Sequence, residues 1–267
     1  MTGRIAKSFR SLQDRKEGAL IAYITAGYPS PEDTEKIGIS LVDAGIDMIE
    51  LGIPFSDPIA DGPTIQKASM ESLNSGTTPM KVLAMALSLR SAINIPIIIM
   101  TYYNPVFQIG AEKFFKLSRD SGVDGVIIPD LPLEEAQEVR KAAKQFDIDL
   151  IFLASVTTPM ARIKRIVEAT SGFLYFVSIQ GVTGARQDIG GTIKELVRKT
   201  SEIMCKTHLA VGFGISSPDQ VRDVLRSGAN GVSVGSSIID RIGTGTDSSL
   251  EELTKFISDL KAATKPA

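Results

Sequence analysis

Glu50 is the residue of this sequence whose surroundings are best suited to proton transfer. It lies inside Met48–Gly52, a short apolar run that is typical of a buried strand. Alternation along that strand directs Ile49 and Leu51 to one face and Glu50 to the other. Burial raises the pKa of a carboxyl group, so that it exchanges protons near neutral pH. We predict Glu50 to be a general acid/base. The alternative is a structural glutamate paired with a buried cation, but no predicted strand contains lysine or arginine.

Asp61 is a second candidate, in the segment that follows this strand. The segment Ile53–Pro63 contains three prolines and is longer than the roughly 2–6 residues usual between a strand and its helix. Asp61 can face Glu50 as a second carboxylate, or it can stand at the entry of a helix beginning near Pro63. The sequence supports both roles equally.

Glycine-rich segments follow three consecutive predicted strands. They are Gly181–Gly184, Gly212–Ser216 and Gly235–Ile238. In barrel enzymes, backbone N–H groups at such strand ends often bind phosphate. We therefore expect a phosphorylated substrate, with three ordinary glycine turns as the alternative.

Aromatic and acidic side chains lie on or after other strands. Tyr102 follows the third strand, while Tyr23 and Tyr175 lie on the first and sixth. These tyrosines either line an apolar pocket or pack in the core. Asp130, at the end of the fourth strand, fits a place at the rim of the site and a helix cap equally well.

Composition excludes several classes of protein. The 267 residues carry a net charge of −2, which argues against a protein that grips a nucleic-acid backbone. A single cysteine, Cys205, and a single histidine, His208, exclude an internal disulfide and a multi-histidine metal site. We expect His208 to be structural. No lysine ends a predicted strand, which disfavours a Schiff-base aldolase.

The sequence shows neither a transmembrane nor a secretory signal. No apolar run approaches the roughly 20 residues of a membrane span, and the first residues lack the apolar core of a secretory signal. We expect a cytoplasmic protein with no membrane partner, or a plastid stromal one if a transit peptide has been removed.

Short apolar runs alternate with longer amphipathic segments along the whole chain. The predicted strands are Ala19–Thr25, Met48–Gly52, Ile97–Thr101, Gly125–Ile128, Asp149–Leu153, Phe173–Val177, Leu209–Gly212 and Gly231–Val234. The predicted helices include Pro31–Ala44, Leu133–Phe146 and Pro218–Leu225. Three similar turns, Ala44–Ile49, Ser121–Val126 and Ser227–Val232, each place a glycine where a helix gives way to a strand.

This alternation predicts α/β structure with parallel strands covered by helices. Eight such units predict a single (β/α)₈ barrel over residues 1–267, with an extra N-terminal helix and a frayed end from Ala262. The alternative is an open doubly wound sheet. It is disfavoured because no G-x-G-x-x-G motif follows the first strand.

The second strand and its loop resemble the signature of the tryptophan synthase alpha subunit family. The resemblance rests on Glu50–Pro58 followed by Ala60–Pro63, and it extends from about Phe9 to beyond Leu260. Further segments match in order: Tyr103–Pro105, Pro129–Pro132, Gly181–Gly184, Gly212–Ile215 and Gly235–Ser236. The family is a (β/α)₈ barrel that cleaves indole-3-glycerol phosphate to indole and glyceraldehyde 3-phosphate in a retro-aldol step.

The resemblance also implies roles for individual residues. Glu50 would protonate C3 of the indole and take the proton of the glycerol hydroxyl, while Asp61 would hold the indole N–H. Tyr23 stands where some members have a phenylalanine against the indole, and Thr183 would orient Asp61. Gly184, Gly214, Gly235 and Ser236 would hold the phosphate. The full substrate-binding set implied is Tyr102, Tyr175, Thr183, Gly184, Phe213, Gly214, Gly235 and Ser236.

The partner implied by the resemblance is a beta subunit that holds pyridoxal phosphate and receives indole through a tunnel in an αββα complex. Asp57 and Pro58 would face that partner, and this chain would carry neither cofactor nor metal. Three alternatives remain: another phosphate-binding barrel isomerase or cyclase, a non-catalytic regulatory barrel subunit, and a binding module for an indole-like ligand.

Overall fold

The computed structural model describes residues 3–177, 191–204, 207–212, 214–243 and 247–265. The strands in these residues are β1 Ala19–Thr25, β2 Met48–Gly52, β3 Ile97–Met100, β4 Gly125–Ile127, β5 Asp149–Ile151, β6 Leu153–Ser155, β7 Phe173–Val177, β8 His208–Gly212 and β9 Gly231–Val234. All of them are parallel and form one sheet in the order β5-β4-β3-β2-β1-β9-β8-β7-β6.

Helices connect the strands. They are α1 Arg4–Asp14, α2 Asp33–Asp43, α3 Pro63–Asn74, α4 Pro79–Ala92, α5 Tyr103–Ile109, α6 Ala111–Asp120, α7 Gln137–Gln145, α8 Met160–Ala169, α9 Gly191–Glu202, α10 Pro218–Arg226, α11 Ser236–Ile242 and α12 Asp247–Ala262. Outward-facing strand residues, such as Ile49 and Leu51, pack in the same cluster as buried residues of these helices. The predicted barrel and its extra N-terminal helix, α1, are confirmed.

The fifth predicted strand is divided in two. The Phe152 N–H donates to the Thr170 side chain (3.0 Å) instead of to a strand, and this separates β5 from β6. The Phe152 carbonyl nevertheless accepts from the Tyr175 N–H (3.0 Å). Since β5 pairs with β4 and β6 pairs with β7, the two short strands together occupy the fifth strand position of the barrel and close it.

The barrel interior at the amino-terminal end is apolar and is covered by α1. Ile5, Phe9 and Leu12 of this helix pack against inward-facing strand residues such as Phe173. All three side chains are almost completely buried, and each such burial stabilises the fold by roughly 1.5–3 kcal/mol. This end of the barrel is therefore filled, which leaves the carboxyl-terminal ends of the strands for a site.

The repeated turns fix the starts of the strands. In each turn the glycine has a left-handed backbone, with φ of +105° at Gly45, +76° at Gly122 and +103° at Gly228. Two residues later, a side-chain oxygen accepts a backbone N–H from the start of the preceding strand. The three bonds are Leu20 to Asp47 (2.8 Å), Ile97 to Asp124 (2.9 Å) and Leu209 to Asn230 (2.9 Å).

Two predicted boundaries differ from the structure by more than two residues. The helix predicted over Leu133–Phe146 begins with a 3₁₀ turn, Leu133–Glu135, and becomes α-helical only at Gln137. The prediction that the chain is frayed from Ala262 onward is wrong as far as Lys265, because Ala263 and Thr264 are buried. The Thr264 carbonyl also accepts the Gly18 N–H (2.9 Å), which ties the end of the chain to the start of β1.

None of the helices in the described parts of the chain combines the length and apolar character that a membrane crossing requires.

Candidate active site

Glu50 lies in the middle of β2 and is completely buried. Its register partners are Tyr23 on β1 and Ile98 on β3. Ile49 and Leu51 belong to the outer core, as alternation requires, so the Glu50 side chain faces the barrel interior. The strand is apolar enough to be buried on both faces, and that burial removes the carboxyl group from water.

The two carboxyl oxygens of Glu50 have different surroundings. The Ser233 hydroxyl donates to Oε2 at 3.2 Å. Oε1 is buried without a hydrogen-bond partner among the described residues. An acceptor without a partner in a dry interior is costly unless something else bonds to it. Oε1 is therefore the atom with which a bound molecule can exchange a proton.

Burial raises the pKa of Glu50 to about 8. The nearby hydroxyl groups of Ser233 and, more weakly, of Tyr175 act in the opposite direction. No cation of the described residues forms an ion pair with Glu50 or contributes to this pKa. Among the described residues, Glu50 thus has no buried cation as a partner, which the structural alternative requires. The Glu50 carboxyl group can be protonated or ionised near neutral pH.

Asp61 is held by an aromatic side chain from a neighbouring strand end. The Tyr102 hydroxyl donates to Oδ2 at 3.0 Å and accepts the Ala60 N–H at the same distance. Phe55 stacks on the Tyr102 ring, with 5.1 Å between centroids. The residue that precedes α3 is Gly62, and no side chain caps this helix. The Asp61 carboxylate is thus bonded to Tyr102 and does not serve as a helix cap.

Asp61 and Glu50 act on the same tyrosines. Burial raises the pKa of Asp61, and the bond from Tyr102 partly offsets the rise. The pKa of Tyr23 is raised by burial, then by the negative charge of Asp61 and, more weakly, by that of Glu50. Burial, then Glu50 and more weakly Asp61, raise the pKa of Tyr175. Both carboxylates therefore lie near the same two tyrosines.

Strand-end glycines make room for the tyrosines. A Cβ atom at Gly212 would lie 2.6 Å from the Tyr175 hydroxyl oxygen, and one at Gly52 would overlap the hydroxyl of Tyr23. Side chains at these two positions would therefore displace the rings. The glycines allow Tyr23 and Tyr175 to lie beside Glu50.

The loops after β8 and β9 lie side by side. The Ser237 hydroxyl donates to the Ile215 carbonyl at 3.1 Å. Gly214 has a φ of +60°, and the space where its Cβ would lie is open. Gly235 directly precedes α11, whose first residue is Ser236. Of the other expected substrate-binding residues, Thr183, Gly184 and Phe213 lie outside the described residues.

The sequence singled out two further polar residues, Asp130 and His208. Asp130 accepts the Tyr103 N–H (2.8 Å) at the first residue of α5, beside Tyr102, and its charge contributes weakly to the raised pKa of Tyr102. His208 stacks on Phe9 at the amino-terminal end of the barrel, with 4.3 Å between ring centroids. The described residues contain no group of three or more His, Cys, Asp or Glu side chains placed to hold a metal ion.

Ser233 is the site residue that sequence reasoning missed. It is buried on β9 between Val232 and Val234. Its register partner on β1, Ile21, packs in the inner apolar cluster. A hydroxyl at an inward-facing position of an otherwise apolar strand is the signal that could have identified it.

The loop between β2 and α3 projects into solvent. Asp57 is exposed and Pro58 is half-buried. The adjacent Ile59 is 81% exposed, and Phe107 of α5 is 64% exposed.

Comparison with known proteins gives one consistent result. A family model described as "Tryptophan synthase alpha chain" matches residues 9–265. A Methanosarcina barkeri protein of that name is 44% identical over 99% of this chain and 98% of its own. A chain in the crystal structure of the tryptophan synthase complex from Pyrococcus furiosus superposes with a TM-score of 0.85 at 38% identity, covering 92% of this chain and 98% of that one. A solved Aquifex aeolicus chain reaches a TM-score of 0.90 at 39% identity over 99% of this chain and 100% of that one.

Proposed function

Because the chain belongs to the tryptophan synthase alpha chain family, we propose that Glu50 and Asp61 perform the cleavage that defines the family. The protein is a carbon–carbon lyase of tryptophan biosynthesis, and its reaction converts indole-3-glycerol phosphate to indole and glyceraldehyde 3-phosphate. The observation that carries the assignment of roles is the buried carboxyl group of Glu50, whose Oε1 atom has no partner in the described residues.

Glu50 first acts as an acid. Its proton passes to C3 of the indole ring, which leaves positive charge on the ring and an ionised carboxylate. A pKa near 8 keeps much of the group protonated at neutral pH. Without this proton, indole would leave as a carbanion. Protonation at C3 is therefore the step that makes indole a leaving group.

The same carboxylate then acts as a base. It takes the proton of the hydroxyl on the carbon bonded to C3. As that oxygen forms a carbonyl, the bond between C3 and the carbon breaks, and its electrons return to the ring. The net transfer is one proton from the hydroxyl to C3, so that Glu50 ends as it began. Positioned acid–base catalysis of this kind accelerates a reaction by about 10² to 10⁴.

Asp61 supports the first step. When C3 is protonated, the ring N–H becomes a stronger donor, and a carboxylate placed to accept it stabilises the charge. The bond from Tyr102 at 3.0 Å holds the Asp61 carboxylate in place. Tyr102 and Tyr175 then form walls of the indole pocket.

The phosphate of the substrate binds at the ends of β8 and β9. The open space beside Gly214 lets an anion approach its backbone, and Gly235 and Ser236 lie in the adjacent loop. A short helix N-terminus at this point of a barrel favours an anion. We assign Thr183, Gly184 and Phe213 to the same substrate-binding set on the resemblance of their segments to the family.

The family identity implies a tryptophan synthase beta chain as partner, and pyridoxal phosphate belongs to that beta chain. We propose an αββα complex in which Asp57 and Pro58 face the partner. The exposed Ile59 beside them is an apolar side chain that such an interface would cover. Indole would pass directly to the beta chain.

The test is to incubate the purified chain with indole-3-glycerol phosphate and to measure indole and glyceraldehyde 3-phosphate, with and without a beta chain. We expect equal amounts of both products, formed faster with the partner. A regulatory or ligand-binding module would bind the compound and release neither product. An isomerase or cyclase would consume a different phosphorylated substrate.

A further inference from the structure

Ser233 contacts the carboxyl group on which the proposed reaction depends. Its hydroxyl donates to Glu50 Oε2 at 3.2 Å, and both residues are buried. The two residues are 183 positions apart in sequence, so it is the closure of the barrel that brings β9 to β2 across β1. The bond joins the catalytic group to a rigid strand rather than to a loop.

The bond also makes the two oxygens of Glu50 inequivalent. Oε2 has a donor, whereas Oε1 has no partner among the described residues. A carboxylate without such a tether can rotate and exchange its oxygens. Rotation would spoil the alignment that proton transfer requires, since a displacement of about 1 Å can cost on the order of 10² in rate.

We propose that Ser233 is a positioning residue, which holds Oε2 of Glu50 so that Oε1 is the oxygen that exchanges the proton with substrate. This inference rests on the proposed function of Glu50. It assigns Ser233 no contact with the reacting atoms.

The hydroxyl has a second effect through charge. A donor to a carboxylate stabilises the ionised form and therefore opposes the rise in pKa that burial produces. The titratable groups that interact with Glu50 are Tyr175 on β7 and Tyr23 on β1, and Asp61 in the loop after β2 acts on both of these tyrosines. The tyrosines remain neutral near pH 8 because burial raises the pKa of both. Removing the Ser233 donor should thus raise the pKa of Glu50.

The test is the pH profile of kcat/KM for indole-3-glycerol phosphate, measured with the beta chain present. The first step needs protonated Glu50, so the rate falls as pH rises through its pKa. Loss of a hydrogen bond to a charged group should move this alkaline limb of the Ser233→Ala variant upward by about 1 pH unit. Without the tether, we also expect kcat at the optimum to fall about tenfold.

Two further variants separate position from packing. Ser233→Thr keeps the hydroxyl and should restore the wild-type limb. Ser233→Cys keeps the volume but supplies only a weak donor, so it should shift the limb as alanine does. It therefore also tests the role of the hydroxyl if the alanine variant does not fold. The matched control is Ser118→Ala, on α6. Ser118 is also a buried serine, and it lies outside the site; its removal should leave the limb unchanged.

An alkaline limb that stays in place in both Ser233→Ala and Ser233→Cys would overturn the positioning role. A shift of equal size in Ser118→Ala would overturn it too. Glu50→Gln, assayed in parallel, distinguishes this from failure of the proposed function. If Glu50→Gln turns over normally, the assignment of Glu50 itself is wrong. If it is inactive while the Ser233 variants keep the wild-type limb, only the inference about Ser233 fails.

Discussion

At the scale of single residues, the two carboxylates of the site differ in how they are held. Glu50 is on a strand in the dry interior, with one hydroxyl donor. Asp61 is on a loop, bonded to Tyr102, and is only partly buried. A group that must gain and lose a proton benefits from the first setting, since burial brings its pKa near neutrality. A group that must stay ionised to stabilise positive charge benefits from the second.

We predict that Asp61→Asn lowers kcat at least 10²-fold and leaves the binding of a phosphorylated product analogue within about threefold of wild type. Asparagine can still accept the bond from Tyr102, but it lacks the negative charge that stabilises the protonated ring. Separate measurements of turnover and of analogue binding check this. Asp120→Asn, on the exposed face of α6, is the control. Full turnover in Asp61→Asn would exclude its role.

The sequence was sufficient to place Glu50 because its position follows from strand alternation alone. It could not decide between the two roles weighed for Asp61, since the partner of that carboxylate, Tyr102, comes from a different strand end. Ser233 was missed for the same reason. The alternation of β9 could have marked its hydroxyl as inward-facing, but its bond to Glu50 joins residues 183 positions apart, which no local pattern reports.

At the scale of elements, the glycine turns do two tasks. Their left-handed glycines end a helix, and the Asp or Asn two residues later accepts an N–H at the start of the preceding strand. Asp124 also accepts from Arg4 of α1 and Arg90 of α4, so this turn joins a strand to two helices. These bonds tie down the starts of β1, β3 and β8.

Asn230→Ala should lower the free energy of unfolding by about 1–3 kcal/mol, because the Leu209 N–H at the start of β8 loses its acceptor inside the protein. Urea unfolding of the variant measures this loss. Asn230→Asp retains an acceptor oxygen and should be less destabilised. Equal losses in both variants would show that the bond is not what stabilises the turn.

The positions of the strands were predictable because their continuous apolar runs are clearly separated by turn residues and amphipathic segments. The division between β5 and β6 was not, since it depends on Phe152 bonding to the Thr170 side chain, 18 residues away. The buried end of the chain at Thr264 was not predictable either. That burial depends on the Gly18 N–H from the opposite end of the sequence.

At the scale of the whole molecule, the barrel separates stability from chemistry. The amino-terminal end is filled by α1 and inward-facing apolar side chains. The carboxyl-terminal end holds a buried carboxyl group that destabilises the fold when ionised. The chain thus gives up some stability where the reaction occurs and regains it through the apolar cluster at the other end.

This cost should depend on pH. The pKa of Glu50 is about 8 in the folded protein against 4.5 for an unperturbed glutamate. The unfolded chain therefore releases this proton first, so the stability contributed by Glu50 is fully present below about pH 4.5 and is lost as pH rises toward 8. Glu50→Gln removes this dependence. Its stability relative to wild type should rise between pH 4.5 and 8, by an amount on the order of 5 kcal/mol.

Urea unfolding of both proteins at pH 5, 6.5 and 8 checks this. Glu138→Gln, an exposed change on α7, serves as the control and should follow the wild-type dependence. If wild type and Glu50→Gln respond to pH in parallel, the carboxyl group is not buried in the way the structure describes.

The most direct measurement is the rate of indole release from indole-3-glycerol phosphate by Glu50→Gln, with the beta chain present and substrate binding measured separately. Glutamine fills the same space and accepts the same bond from Ser233, but it cannot deliver a proton to C3. We predict that kcat falls by about 10² to 10⁴ or more while binding of the substrate is preserved. Turnover close to that of the wild-type chain would contradict the account.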